Sequence, residues 1–111
     1  MKKIMKLFPA CKDYVWGGNK LRGYGKTSSA DRISESWELS MHKDGLSLTE
    51  NGKTIEEEFG EEGLGRNVGA FEFFPALVKF IDAAQDLSVQ VHPNDDYALK
   101  NEGQYGKTEM W

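Results

Sequence analysis

Cysteine is almost absent from this sequence, since Cys11 is the only one among 111 residues. A disulfide framework within the chain is therefore excluded. No apolar run approaches the ~20 residues of a membrane-spanning helix. The basic start of the chain, residues 1–9, also lacks the continuous apolar stretch of a signal peptide. A free thiol without a secretion signal indicates a protein of the reducing cytoplasm, with no membrane partner.

A basic excess is also missing. Lys and Arg number 14 against 18 Asp and Glu, which gives a net charge of −4. Because binding to phosphate backbones needs a clustered basic surface, nucleic acid is excluded as a partner. A small phosphorylated molecule remains compatible with the sequence, since two or three well-placed cations are enough to bind one phosphate.

The sequence has no internal repeat, no linker and none of the short metal signatures HExxH and CxxC. Its 39% hydrophobic and 29% charged residues are typical of a globular chain. The length is enough for one domain, residues 1–111, with a single small core.

Residues 33–42 alternate strictly between two sets of side chains. One set is Ile33, Glu35, Trp37, Leu39 and Met41; the other is Ser34, Ser36, Glu38, Ser40 and His42. A period of two with one mainly apolar face predicts a half-buried strand. Glu35 interrupts the apolar face, and a carboxylate among core residues needs a partner.

The remaining pattern is mainly β, with short strands and close turns. We expect strands at 46–50, 77–81 and 87–92, an extended segment at 107–111, a loop at 61–69 and a turn at 82–86. The Asn51-Gly52 pair predicts a turn, and the spacing of Thr54 and Glu57 predicts a capping box on a helix that ends near Phe59. Asn94 predicts a second short helix that ends at Gly103.

In residues 87–92, alternation directs Leu87, Val89 and Val91 toward a core and Ser88, Gln90 and His92 to the other face. That polar row is either a solvated face or the wall of a polar pocket. Glu109 favours the pocket, because a strand at 107–111 would bring its carboxylate across from His92. Imidazole nitrogen and carboxylate oxygen are ligands that Zn²⁺ accepts, although the spacing alone is a weak metal signal.

Two lysines stand in unusual surroundings. Lys79 is flanked by apolar residues, so its ammonium lies in water at a sheet edge, pairs with a carboxylate, or lines a cavity. Lys107 presents the same alternatives in a more polar segment.

Five segments in order resemble a known family. They are Tyr-Val-Trp-Gly-Gly (14–18), Glu-Ser-Trp-Glu-Leu-Ser (35–40), Phe-Pro-Ala-Leu-Val-Lys-Phe-Ile-Asp-Ala (74–83), Leu-Ser-Val-Gln-Val-His-Pro-Asn-Asp (87–95) and Gly-Lys-Thr-Glu-Met-Trp (106–111). Together they closely resemble the N-terminal part of type I phosphomannose isomerases of the short bacterial kind. The Gln-x-His-Pro-Asn run followed by Gly-Lys-x-Glu-Met is highly specific.

The resemblance implies a fold and a chemistry. It implies a mainly β, cupin-like (jelly-roll) barrel with one or two short helices, of which this chain is an incomplete portion. It also implies zinc-dependent interconversion of mannose 6-phosphate and fructose 6-phosphate, with the sugar phosphate as the small-molecule partner.

The resemblance also assigns roles to residues. The metal ligands map onto Gln90, His92 and Glu109, the catalytic lysines onto Lys79 and Lys107, and the substrate-binding residues onto Trp16, Glu35 and Ser88. One further histidine ligand and a basic residue of the family lie in a later part of a longer chain, and His42 matches neither.

Three function classes follow. The chain is the N-terminal part of an isomerase that is inactive or weakly active alone, a non-catalytic metal- or sugar-binding module, or a structural protein on an inherited scaffold. We favour the first. Unpaired strand edges in an incomplete barrel also predict self-association.

Overall fold

A computed structural model describes residues 4–111; residues 1–3, part of the basic start, lie outside the described residues. Within this range the chain forms five short strands, two α-helices and two 3₁₀ turns. The strands are β1 (Leu7–Phe8), β2 (Ala10–Lys12), β3 (Glu35–Leu39), β4 (Leu48–Thr49) and β5 (Val78–Ile81). The helices are α1 (Ile55–Gly63) and α2 (Asp95–Asn101), and the 3₁₀ turns are Lys20–Tyr24 and Val68–Ala70.

The strands form two small antiparallel sheets. β1 pairs with β4, and β3 lies between β2 and β5 in the second sheet. Trp37 lies opposite Ala10 on one side and Lys79 on the other, and the register shifts between Trp37 and Leu39. The mainly β prediction with two short helices is confirmed.

The central strand is buried on both faces, so the prediction of a half-buried strand was wrong. Ile33 and the neighbouring Ser34 and Ser36 are all 0% exposed. The Ser34 hydroxyl donates to the Lys12 carbonyl at 2.9 Å and accepts from the Tyr14 amide at 2.8 Å. Both hydroxyl groups are satisfied although they are buried, Ser34 by backbone and Ser36 by the Glu38 carboxylate at 2.6 Å.

The turn and both helix starts follow the sequence signals. Gly52 takes the left-handed conformation with φ 73°, and its amide donates to the Thr49 carbonyl at 2.9 Å. The Thr54 capping box forms on α1, which is interrupted at Gly60, where φ is 64°. α1 then continues for a further turn into the predicted loop. Asn94 caps α2 by accepting from the Tyr97 amide at 3.0 Å.

Residues 87–92 do not form the predicted strand, and the segment 107–111, predicted to be extended, is not part of a strand either. Val89 is 100% exposed and Val91 is 89% exposed, so the predicted core face lies in water. The physical reason is that no strand among residues 4–111 pairs with either segment. Alternation orients the side chains along an extended segment, but only a paired and covered strand buries them.

Neither helix in residues 4–111 has the length and apolar character needed to cross a bilayer.

The capping box gives α1 a dependence on pH. The pKa of the Glu57 carboxyl is lowered by its hydrogen bond with the Thr54 backbone and, to a smaller extent, by its hydrogen bond with the Thr54 side chain. A carboxylate with a lowered pKa in the folded state stabilises the fold above its unfolded pKa, and that stabilisation is lost as pH falls through the folded pKa. We therefore expect α1 to lose helicity as the pH falls, as measured by circular dichroism. Glu57→Gln should remove this dependence of the helicity on pH. Glu56→Gln, in the same turn, is the matched control, and an equal effect from it would contradict the assignment.

Candidate functional site

A small polar cavity of about 160 Å³ lies between β3, β5 and the two extended segments. Its lining residues are Glu35, Lys79, Ile81, Leu87, Ser88, Gln90, Lys107, Glu109 and Trp111. Six of the eight residues predicted for the site line it. We define Glu35 and Lys79 as the floor of the cavity, and Gln90, Lys107 and Glu109 as its rim.

The floor is built by strand geometry. Glu35 and Trp37 share one face of β3 because they are two residues apart, and Lys79 of β5 lies opposite Trp37. The Lys79 ammonium therefore reaches the diagonal neighbour, Glu35, at 3.1 Å. The Glu35 side chain is only 6% exposed. Lys79 is therefore the partner that the sequence analysis required for Glu35. Of the three alternatives given for Lys79, pairing with a carboxylate and lining a cavity are both observed.

The rim is a short chain of polar contacts. The Lys107 ammonium donates to the Gln90 amide oxygen at 3.0 Å and to Glu109 Oε1 at 2.8 Å. The other carboxylate oxygen of Glu109, Oε2, lies 3.0 Å from His92 Nε2. The hydrogen bond from Lys107 lowers the pKa of the Glu109 carboxyl, although its partial burial acts in the opposite direction. The predicted meeting of His92 and Glu109 is therefore present in the structure.

The two extended segments meet without a strand ladder. The Gly106 amide donates to Asp95 Oδ1 at 2.8 Å, and the Lys107 amide donates to the Pro93 carbonyl at 3.2 Å. A Cβ on Gly106 would lie 2.5 Å from the Pro93 carbonyl oxygen, so only glycine permits this approach. These contacts with the start of α2 place Glu109 beside His92.

Trp16 and His42 lie elsewhere. The Trp16 ring stacks on Tyr14 with 5.6 Å between centroids, and its carbonyl accepts from the Ala84 and Gln85 amides. Trp16 is not among the residues that line the cavity. The His42 imidazole contacts Trp37, Asp44 and Gln104. The polar partners of His42 therefore do not include any residue of the rim.

Sequence reasoning did not select Trp37 or Trp111 for the site. Trp111 lines the cavity although it is 83% exposed. The Trp37 indole N–H donates to Glu35 Oε2 at 2.7 Å. The sequence contained a sign of this contact. Trp37 comes two residues after Glu35, and that spacing places both side chains on one face of a strand.

The rim fits a zinc ion in part. Two ligands at about 2.1 Å from a tetrahedral ion lie roughly 3.4 Å apart, so His92 Nε2 and Glu109 Oε2 are close enough to share one ion. The Gln90 oxygen is one hydrogen bond away, through Lys107. Among residues 4–111, no group of three or more His, Cys, Asp or Glu side chains converges on a common point. The His92–Glu109 pair therefore has the spacing of two zinc ligands, and no third His, Cys, Asp or Glu among the described residues joins it.

A second, more open groove of about 430 Å³ is lined by Asp13, Val15, Ser29, Ala30, Asp31 and Arg32. The Arg32 guanidinium there donates to the Val15 carbonyl. None of the residues predicted for the site lies in it. Size alone does not mark a binding site, and the smaller cavity combines two ammonium groups with carboxylate, amide and hydroxyl groups.

Comparisons with known proteins identify the family. Residues 4–108 match the family model described as phosphomannose isomerase type I, catalytic domain. Mannose-6-phosphate isomerase ManA of Bacillus subtilis is 42% identical over 110 residues, covering 93% of this chain and 34% of that protein. Mannose-6-phosphate isomerase of Streptococcus mutans is 39% identical over 102 residues, covering 87% and 32%. A crystal structure of mannose 6-phosphate isomerase from Bacillus subtilis matches with a TM-score of 0.74 at 34% identity, covering 92% and 34%.

The chain therefore belongs to the type I phosphomannose isomerase family and shares the fold of the corresponding part of the solved structure. It spans about a third of the length of the curated relatives that it matches.

The buried floor makes a stability prediction. Lys79→Met would leave the Glu35 carboxylate buried beside Trp37 without a cation, and we expect the free energy of unfolding in urea to fall by about 2–3 kcal/mol. This is near the lower end for a broken buried pair, because the Lys79 side chain is 21% exposed. Adding Glu35→Gln to Lys79→Met should recover at least half of the loss, since no buried charge then remains. If the double variant loses as much free energy of unfolding as the two single variants lose together, the ion pair does not stabilise the floor.

Proposed function

We propose that this chain is the N-terminal part of a zinc-dependent mannose-6-phosphate isomerase, which interconverts mannose 6-phosphate and fructose 6-phosphate. The observation that carries the proposal is that Lys79 and Lys107 line one small cavity together with Glu109, whose carboxylate also contacts His92. The family match and the names of the relatives support the same activity.

Two cations line the cavity, and each is paired with one of its carboxylates, Lys79 with Glu35 and Lys107 with Glu109. Lys107 is the more accessible cation, with its side chain 44% exposed, whereas Lys79 is held by Glu35. The Ser88 hydroxyl lines the same space and can donate to a phosphate or sugar oxygen. We assign substrate binding to Ser88 from its place in the cavity, and to Glu35 and Trp16 from the family resemblance.

The reaction moves a proton between C1 and C2 of the sugar through an enediol-like intermediate. It requires a base within hydrogen-bond reach of the carbon-bound proton and positive charge near the oxygen that becomes negative. We assign the second requirement to Lys79 and Lys107, because both ammonium groups line the cavity.

We propose that His92, Glu109 and Gln90 hold the zinc ion, with further ligands from the rest of the longer protein. A bound zinc ion would supply Lewis-acid polarisation of the sugar oxygens. Lys107 orients the Glu109 carboxylate and the Gln90 amide through its two hydrogen bonds. Outer contacts of this kind fix the ligand geometry in metal sites.

We further propose that the complete protein closes into a cupin-like barrel and acts in the cytoplasm. In the present chain, β5 is an outer strand of its sheet, so one of its edges lacks a neighbour among residues 4–111. The single free Cys11 is compatible with a reducing compartment.

A non-catalytic module that binds a metal or a sugar is the second candidate. It is favoured by the small number of convergent zinc ligands in the described residues. The two candidates share a binding site and differ in turnover, so conversion of the sugar phosphate separates them.

The zinc assignment and the activity are tested together with Glu109→Gln. We expect zinc affinity to fall at least about tenfold, the lower end of what the loss of an outer-shell partner costs, and conversion of mannose 6-phosphate to fall with it. Affinity is measured by competition with a chelator, and conversion by a coupled assay in the full-length protein. Glu102→Gln, at the exposed end of α2, is the matched control.

Unchanged zinc affinity in Glu109→Gln would remove Glu109 from the metal site. If the unsubstituted full-length protein binds zinc and the sugar phosphate but gives no fructose 6-phosphate, the non-catalytic candidate replaces the isomerase.

We also propose that the 111-residue chain self-associates through the open edge of β5. Val78 and Phe80 of this strand are 49% and 50% exposed, and an unpaired edge with apolar side chains readily pairs with another chain. Light scattering should show a mass that rises with concentration, and Phe80→Lys should return it toward the monomer. A monomer at all concentrations would refute the proposal.

A further inference from the structure

Trp37 lies behind the floor of the cavity and contacts it through a single polar atom. Its indole N–H donates to Glu35 Oε2 at 2.7 Å, while the Lys79 ammonium donates to Glu35 Oε1 at 3.1 Å. Each oxygen of the carboxylate is therefore engaged by a different donor. A carboxylate held in this way has one preferred orientation, and that orientation determines where its lysine partner is held.

The indole ring is itself held in place on several sides. The Lys12 ammonium lies 4.5 Å from the ring centroid, and the His42 imidazole meets the ring edge-on with 5.8 Å between centroids. A Cβ added to Gly45 would lie 2.8 Å from Cε3 of the ring, so the absence of a side chain there makes room for it. With 7% exposure, Trp37 has little freedom to change rotamer.

We propose that Trp37 is a positioning residue for the site: its indole N–H fixes the Glu35 carboxylate, which in turn holds the Lys79 ammonium at the cavity wall. A lysine side chain has four rotatable bonds and loses much entropy when it is fixed, so a rigid acceptor is needed to keep its charge in one place. The inference rests on the proposed function in one respect, that Lys79 is the charge presented to a sugar phosphate.

The same sheet contains an internal control. Lys26 pairs with Glu38 Oε2 at 2.8 Å, and its side chain is 16% exposed, close to the 21% of Lys79. Glu38 is also held by a second donor, the Ser36 hydroxyl, at 2.6 Å. Ser36 and Glu38 alternate with Glu35 and Trp37, so this pair lies on the opposite face of β3 and makes no hydrogen bond to the indole.

The test is the rate at which each lysine is modified by reductive methylation, read residue by residue with ¹³C-formaldehyde and NMR. Trp37→Phe removes the N–H donor and keeps an aromatic ring. We expect the rate at Lys79 to rise severalfold in this variant and the rate at Lys26 to stay the same. A parallel rise at both lysines would show general loosening of the sheet, and no change at Lys79 would show that the indole does not position it; either result overturns the proposal.

A second measurement needs no substitution, and it decides the question if Trp37→Phe fails to fold. The proposal requires hydrogen exchange of the Trp37 indole N–H to be much slower than that of Trp111, which is 83% exposed. Removing the acceptor with Glu35→Ala should speed the exchange at Trp37. Equal exchange at Trp37 and Trp111, or no acceleration in Glu35→Ala, would contradict the hydrogen bond on which the proposal depends.

Mannose 6-phosphate separates this inference from the proposed function. If the function is right, the sugar phosphate slows methylation of Lys79 in the unsubstituted chain, and it does so less in Trp37→Phe. If the sugar phosphate protects neither Lys79 nor Lys107 while Trp37→Phe still accelerates modification of Lys79 alone, the positioning role stands and the substrate assignment fails.

Discussion

The buried carboxylate of Glu35 is the constraint around which the described structure is organised. A charge with its side chain 6% exposed is tolerated only when both oxygens have donors, and here the donors are Lys79 and Trp37. The register of β5 against β3, with Lys79 opposite Trp37, brings the Lys79 ammonium to this carboxylate. The requirement for donors also leaves a polar cavity where hydrophobic side chains would otherwise fill the space. Removing one partner of such a pair costs more stability than replacing both partners with apolar residues.

The floor and the rim of the cavity have different supports. The floor lies on two hydrogen-bonded strands and on residues of β3 that are almost fully buried. The rim lies on the segments 87–92 and 107–111, which belong to no strand. Contacts of Gly106 and Lys107 with the start of α2 hold these segments together, as do the polar contacts of the Lys107 and Glu109 side chains. A rigid floor suits the placement of charge, whereas the side chains of the rim have less support from neighbouring structure.

Local chemistry predicted local structure well. The Asn51-Gly52 turn, the Thr54 capping box and the Asn94 cap formed as expected, because each depends on side chains within four residues of the backbone groups that they satisfy. The pairing need of Glu35 and the meeting of His92 with Glu109 were also anticipated. The mainly β architecture followed from the short alternating segments.

Long-range burial was where sequence reasoning failed. Val89 and Val91 alternate as a buried strand would, but burial depends on a neighbouring strand, and none among residues 4–111 pairs with them. Ser34 and Ser36 belonged to the predicted polar face of the strand and are fully buried, and the hydroxyl of Ser34 bonds backbone from a distant part of the chain. Trp37 was read only as a core residue, since alternation gives the face of a side chain but not the hydrogen bond that it makes.

The most direct test of the account is to titrate the isotope-labelled chain with mannose 6-phosphate and follow the side-chain signals by NMR. Binding in the cavity predicts saturable shifts at Lys79, Ser88 and Lys107, with Lys26 on the opposite face unaffected. Shifts confined to Arg32 and the other residues of the larger groove, or no shifts at all, would contradict the assignment of the sugar phosphate to this cavity.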